Sequence, residues 1–75
     1  MSRMGVKKII ELVGYSPESW EEATKNAVKE AAKTVRNITS VHVERCTAKV
    51  QGNRIVEYRA LVRIAFTVQR GPASD

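Results

Sequence analysis

The sequence predicts an α+β domain in which a three-stranded antiparallel sheet of order 1-3-2 packs on one helix. Three observations support this β-α-β-β arrangement. Within the segment 54–68, every even position from Val56 to Val68 carries an apolar side chain, which is typical of a strand with one buried face. Residues 17–36 repeat apolar side chains at steps of three or four, which indicates an amphipathic helix. Gly52 and Asn53 separate two strand-like segments and fit a two-residue hairpin turn.

The first strand and the helix follow one another closely. The strand is predicted at residues 6–13, and Gly14 permits a sharp change of direction after it. Ser16 is the expected N-cap of a helix over residues 17–36, about 30 Å long, and Asn37 is its expected C-cap. The apolar stripe of the helix is mostly alanine, so we expect the sheet to approach it closely. The stripe comprises Trp20, Ala23, Ala27, Ala31 and Val35.

The second strand is predicted at residues 39–50. A crossover helix joins parallel strands and a hairpin joins antiparallel ones, so the third strand lies between the other two. The turn then predicts the pairs on the outer face, which we define as the sheet face that points away from the helix. These pairs are Val50 with Ile55, Ala48 with Glu57, Cys46 with Arg59, Glu44 with Leu61, His42 with Arg63 and Ser40 with Ala65. The same register places Arg45, Thr47 and Lys49 on the helix side.

The lengths of the elements predict an oligomer. A third strand of about 50 Å outruns a helix of about 30 Å, so the hairpin end projects beyond the helix. Val56 and Tyr58 remain apolar there, which indicates that another subunit covers them. The chain has 75 residues and a single cysteine, Cys46, so no intrachain disulfide adds stability. We expect one domain over residues 1–75, with an ordered core at about 5–69 and a loose tail at 70–75.

Charge and composition narrow the class of partner. The formal net charge is +5 and the pI is about 9.8, which favours anionic partners. A nucleic-acid-binding module is a rival interpretation, but the polar face lacks an aromatic platform. No signal peptide or apolar span appears in the sequence, and the unpaired thiol of Cys46 favours a reducing cytoplasm. The sequence also lacks a nucleophile and base at useful spacing and a Gly-rich phosphate loop, so we expect no enzyme activity.

Three segments resemble the dodecin family: residues 7–14, residues 16–23 and residues 57–66. Their order and spacing resemble those of the family, and the match covers nearly the whole chain. The resemblance implies a β-α-β-β subunit in a hollow homododecameric shell. It also implies flavin binding in pairs between subunits, with a storage or protective role rather than turnover.

Two positions depart from the pattern of the flavin-binding members. These dodecins have a tryptophan at the start of the second strand that stacks on the flavin, and the matching residue here is Ser40. The glutamine that follows the tyrosine of the third strand is replaced by Arg59. A hydroxyl does not replace an aromatic plane worth about 1–3 kcal/mol in comparable base stacking. We therefore expect flavin binding of the usual kind to be lost or much weakened, and we assign Trp20 to packing.

The outer face supplies the candidate ligand residues. Arg59 and Arg63, with His42, form a positive patch there, and Ser40 shares the face. Because guanidinium groups suit phosphate and carboxylate, we predict a site for a small anionic or flavin-type ligand at these four residues. The alternative is an intersubunit salt-bridge network that includes Glu44.

A divalent cation is the competing ligand. Glu11 and Glu57 lie on the outer face of neighbouring strands, and paired carboxylates could hold calcium in a symmetric shell, as in some dodecin relatives that lack the tryptophan. Two acids are few, since calcium takes six to eight oxygen ligands.

Overall fold

The computed structural model describes residues 6–68. The elements are β1 (Val6–Ser16), α1 (Trp20–Ala31), β2 (Ile38–Gln51) and β3 (Arg54–Val68). The strands form one antiparallel sheet in the order β1-β3-β2, which confirms the predicted fold class. The tail predicted at 70–75 lies outside the described residues.

The helix starts later than predicted because Ser19, rather than Ser16, is its N-cap. Ser19 has an extended backbone, and its hydroxyl accepts a hydrogen bond of 3.0 Å from the backbone N–H of Glu22. Ser16 is the last residue of β1, which runs three residues beyond its predicted end. Its buried hydroxyl accepts from the N–H of Glu18 at 2.9 Å, so it shapes the link into the helix without capping it.

The helix also ends earlier than predicted, at Ala31 with Ala32 as its C-cap. A 3₁₀-type turn follows, in which the N–H of Thr34 donates to the carbonyl of Ala31 at 3.1 Å. Asn37 has a left-handed backbone with φ of 62°, but it leads into β2 and does not cap the helix. The predicted span 17–36 is therefore too long, and α1 is about 18 Å in length.

The core is a thin layer between α1 and the sheet. The predicted alanine stripe is confirmed, since three helix alanines are buried against three residues of β3. These core residues are Ala23, Ala27, Ala31, Ala60, Val62 and Ile64. Gly14 permits the close approach, because a Cβ there would collide with the carbonyl oxygen of Ala23 and lie 2.9 Å from the Cβ of Ala27.

The register of β2 against β3 agrees with the prediction at both ends of the hairpin and departs from it in the middle. The confirmed pairs are Val50 with Ile55, His42 with Arg63 and Ser40 with Ala65, and the same register pairs Val43 with Val62 and Val41 with Ile64. Three register shifts leave Thr39 and Glu44 of β2, and Val56 of β3, without a paired residue on the neighbouring strand. The pairs between Glu44 and Val56 are Lys49 with Glu57, Ala48 with Tyr58, Thr47 with Arg59, Cys46 with Ala60 and Arg45 with Leu61.

The shift at Glu44 moves the β2 residues after it to the opposite face from the one predicted, because a slip of one residue turns every side chain over. Arg45, Thr47 and Lys49 lie on the outer face, so their predicted place on the helix side is wrong. Cys46 moves to the helix side opposite Ala60, and the predicted pair with Arg59 is also wrong. The shifts at Glu44 and Val56 lie on opposite strands and offset each other, so Val50 pairs with Ile55 as predicted.

The helix covers β1 and β3 and leaves most of β2 open. Val41 and Val43 point to the helix side but are 38% and 41% exposed. The chain has a radius of gyration of 16.0 Å, against about 11 Å for a compact domain of this length. One chain is thus an elongated unit with little interior.

Candidate ligand-binding face

Four rows of side chains cross the outer face, each with one residue from β2, β3 and β1 in that order. They are Ser40–Ala65–Ile9, His42–Arg63–Glu11, Arg45–Leu61–Val13 and Thr47–Arg59–Tyr15. We call them the Ala65, Arg63, Leu61 and Arg59 rows. Alternation along the strands produces the first two, and the bulge at Glu44 produces the β2 members of the last two.

The Arg63 row carries balanced charge. The guanidinium Nε of Arg63 lies 3.2 Å from Glu11 Oε2 and 3.4 Å from Glu44 Oε1. The imidazole Nε2 of His42 lies 3.7 Å from the same Glu44 oxygen. These side chains are partly or largely exposed, so each ion pair contributes no more than about 1 kcal/mol. Two carboxylates therefore already compensate the charge of Arg63.

The Arg59 row is less balanced. Arg59 donates from Nε to Glu57 Oε2 at 2.9 Å along its own strand. The side chains opposite Arg59 are Thr47 on β2 and Tyr15 on β1, and neither is charged. Glu57 also faces Lys49 across the sheet, and the ion pair of its carboxylate is with Arg59.

The four residues predicted to bind a ligand fall into two groups. Ser40, His42 and Arg63 occupy neighbouring rows at the open end of the hairpin. Arg59 lies four residues from Arg63 on β3, about 13 Å along the strand, and about 20 Å from the level of Ser40. All four share the outer face, as expected, but a single chain does not bring them together.

The two predicted metal ligands are also far apart in one chain. Glu11 pairs with Arg63, whereas Glu57 lies six residues away along β3, about 20 Å. Each carboxylate is bound to an arginine. Within residues 6–68, no group of three or more His, Cys, Asp or Glu side chains is placed to hold a metal ion.

A shallow depression of about 230 Å³ lies where the Leu61 and Arg59 rows meet. Its lining comprises Val13, Arg45, Thr47, Arg59 and Leu61. Of these, only Arg59 was predicted as a ligand residue. The sequence signal for Arg45 and Thr47 is absent, because their position on this face depends on a bulge that alternation does not reveal.

Trp20 has the packing role assigned to it, although it lies outside the core. Its ring meets Tyr58 edge to face with centroids 5.0 Å apart, and its Nε1–H donates to the carbonyl of Thr47 at 2.8 Å. Trp20 thereby ties the start of the helix to the hairpin. The expectation that Tyr58 lies beyond the reach of the helix is wrong, because this first helical residue contacts it.

The described part of the chain contains no helix of the length and apolarity needed to cross a membrane. A further depression of about 360 Å³ lies between the edge of β1 and α1, with Tyr15, Asn26 and Glu30 in its lining.

Comparison with known proteins relates this geometry to a family. The Dodecin family model matches residues 6–69. The calcium dodecin of Mycobacterium tuberculosis is 32% identical over 66 residues, which are 88% of this chain and 93% of that protein. Its crystal structure, described as that of a calcium-chelating antigen with a novel calcium-binding site, superimposes with a TM-score of 0.76 at 30% identity, covering 88% of this chain and 94% of that one.

Two further solved structures share this fold. A Thermus thermophilus dodecin variant is 28% identical, with a TM-score of 0.86 over 89% of this chain and all of that chain. The dodecin of Streptomyces coelicolor shares the fold with a TM-score of 0.85 at 21% identity, over 89% of this chain and 96% of that one. The protein described here belongs to the dodecin family.

Proposed function

We propose that the protein is a non-enzymatic binding protein that forms a closed homo-oligomer of about twelve copies and holds a small ligand on its outer face. The ligand site comprises Ser40, His42, Arg59 and Arg63, contributed by copies that meet at that face. The proposal places this storage role in the cytoplasm, where the single thiol of Cys46 stays reduced.

The exposed apolar surface of the single chain carries this proposal. Large apolar side chains are exposed on both faces of the sheet, whereas six apolar residues are buried within residues 6–68. The exposed set is Val6, Ile9, Val13, Tyr15, Trp20, Val41, Val43, Val50, Ile55 and Val56. Exposed apolar patches on soluble proteins mark interaction surfaces, so contact with further copies is the expected way to cover these side chains.

Light scattering coupled to size-exclusion chromatography tests the assembly. We expect a monodisperse particle of about twelve chains at micromolar concentration, since a symmetric closed assembly leaves no interface unfilled. A monodisperse monomer under the same conditions would contradict the proposal.

The separation of Ser40 from Arg59 requires the proposed site to be shared between copies. The two residues lie about 20 Å apart along the sheet, so a small ligand reaches both only where two outer faces meet. Neither residue offers an aromatic plane, and the arginine adds a donor that stays charged. We therefore propose that a small anionic ligand is preferred over a flavin.

Riboflavin fluorescence tests the altered flavin site. The unmodified protein should leave most of the fluorescence in place, because no indole is present at residue 40 to stack on the ring. The double variant Ser40→Trp with Arg59→Gln should restore quenching, and Arg59→Gln alone serves as the control. A tight stoichiometric flavin complex of the unmodified protein would show that Ser40 does not weaken the site.

A calcium site is the second candidate, and the likeness to the calcium dodecin of Mycobacterium tuberculosis favours it. Glu11 and Glu57 are the acids proposed as ligands, and both are held by arginines in the single chain. Since calcium requires six to eight oxygens, several copies would have to supply them. Titration calorimetry with calcium chloride should then show binding that Glu57→Gln removes, whereas heat changes equal to buffer would exclude this candidate.

A further inference from the structure

β1 is an edge strand that is open to pairing with a strand of another molecule. Among the described residues it pairs only with β3, and its 11 residues oppose β3 without a register shift. The other edge strand, β2, is interrupted by the unpaired residues Thr39 and Glu44. Edges are usually protected by bulges, prolines or short length, and β1 has none of these features.

Hydrogen bonds elsewhere in the sheet show which residues of β1 present their backbone to the free edge. The N–H of Thr67 donates to the carbonyl of Asn37 at 3.1 Å, so the even residues of β3 point towards β1. They bond the even residues of β1, and the odd residues of β1 point outward. The amide of Asn26 agrees, since it donates to the outward carbonyl of Tyr15 at 3.0 Å. α1 therefore closes the edge at Tyr15 and leaves the earlier part open.

Apolar and oppositely charged side chains flank the open part. Ile9 is 62% exposed and Val6 is 58% exposed. Lys7 forms no ion pair within residues 6–68. Glu11 binds Arg63 through one oxygen at 3.2 Å, and a carboxylate accepts several hydrogen bonds. Because a lysine on an edge opposes pairing with a cationic strand, a matching strand must place an acid opposite Lys7.

A second copy of β1 meets this requirement in one antiparallel register. With a twofold axis at Ile9, that residue opposes the partner's Ile9, and Lys7 opposes the partner's Glu11. These pairs join outward backbone groups, so about six backbone hydrogen bonds form. An axis at Lys7, Lys8 or Glu11 would place a charge against its own copy, and an axis at Ile10 would place Glu11 against an isoleucine. An axis beyond Glu11 would reach the part of the edge that α1 closes.

We propose that the free edge of β1 binds the β1 edge of a second copy, antiparallel and about a twofold axis at Ile9, so that two sheets become one sheet of six strands. Every contact of this interface occurs twice. The inference rests on the proposed self-association and names one of its surfaces, which is distinct from the outer face. It requires two copies rather than twelve.

A disulfide across the axis tests the register. The Cα atoms of a hydrogen-bonded antiparallel pair lie about 5.5 Å apart, a distance that a disulfide spans. Ile9→Cys in a Cys46→Ser background should give a covalent dimer on a non-reducing gel when diamide, the oxidant, takes the two thiol hydrogens. Val13→Cys in the same background is the matched control, because it is similarly exposed on the same strand but about 26 Å from its own copy. Equal cross-linking of both variants, or none at residue 9, would overturn the interface.

Charge reversal tests the contact between Lys7 and Glu11. Lys7→Glu and Glu11→Lys each place like charges opposite one another twice, and each should raise the concentration of half-dissociation by about tenfold or more. An equimolar mixture of the two variants restores opposite charges in mixed pairs and should regain the original mass by light scattering. Lys8→Glu makes the same charge change on the helix side and should leave the mass unchanged. Equal weakening by Lys7→Glu and Lys8→Glu would reduce the effect to net charge and overturn the proposal.

The mass of the unmodified protein separates this inference from the proposed particle. A dimer that Lys7→Glu dissociates and Ile9→Cys cross-links would keep the interface and refute the closed assembly of about twelve copies. A particle of about twelve copies that Lys7→Glu leaves intact would refute the interface alone. A monomer at micromolar concentration would refute both.

Discussion

On the helix-facing surface of the sheet, α1 covers the region where β1 pairs with β3. The same surface of β2, on the other side of β3, is mostly uncovered. Val62 and Ile64 of β3 are 0% exposed beneath the alanine stripe of α1. Val43 and Val41 of β2 are their direct cross-strand partners, yet about 40% of each remains exposed. At the same level of the sheet, the β3 side chains are therefore buried, whereas their β2 partners are exposed to solvent.

This difference distinguishes residues that stabilise the fold of one chain from residues that are expected to act in association between chains. The β1–β3 side is stabilised within the chain by close helix packing, for which Gly14 and the alanines are suited. The β2 side is held to β3 mainly by the backbone ladder, and under the proposed assembly its exposed apolar side chains contact another copy. Substitutions on the two sides should consequently have different effects, on folding in the first case and on association in the second.

The largest effect is expected at Gly14, on the packed side. In Gly14→Ala the new Cβ meets the carbonyl oxygen of Ala23 and lies 2.9 Å from the Cβ of Ala27, so the helix must move away from β1. We expect a loss of about 3 kcal/mol in the free energy of unfolding. Chemical denaturation followed by circular dichroism measures it.

Gly52→Ala is the matched control for this packing effect. Its new Cβ meets no atom within 4 Å, and its cost comes only from the positive φ of 57°. A loss of about 1 kcal/mol is expected at this turn. If Gly14→Ala proves no more destabilising than Gly52→Ala, close approach of the helix does not stabilise the packed side.

A smaller effect is expected when one valine is truncated beneath the helix and another is truncated on uncovered β2. Val62→Ala should lower the free energy of unfolding by about 2 kcal/mol, because it leaves a cavity beneath the helix. Val43→Ala should change the stability of the subunit much less, because its side chain is already exposed to solvent within one chain. It should instead raise the concentration at which the particle dissociates, which dilution followed by light scattering measures. The same loss of subunit stability from both variants would refute the distinction between the two sides.

The smallest effect is expected where α1 touches the hairpin. Trp20→Phe keeps an aromatic ring beside Tyr58 but removes the hydrogen bond to the carbonyl of Thr47. We expect a loss of about 1 kcal/mol, the usual net value of such a bond. Thermal unfolding followed by circular dichroism gives the value, and an unchanged melting temperature would show that this contact does not stabilise the chain.

The candidate site was only partly predictable from sequence. The pair of His42 with Arg63 followed from counting residues away from the turn, and the structure confirms it. Arg45 could not be placed on the outer face, because an unbroken alternation assigns it to the helix side. The wrong assignment has a single cause, which is the extra residue at Glu44.

The sequence by itself determined the element order, the sheet order, the buried face of β3 and the hairpin turn at Gly52 and Asn53. These features depend on local chemistry: period-two alternation, an alanine stripe at helical spacing and two residues that tolerate positive φ. Tertiary structure alone decided the ends of the helix, the bulges and the strands that the helix covers. Each of these depends on contacts between residues distant in the chain, since helix packing and strand pairing are settled together when the elements meet.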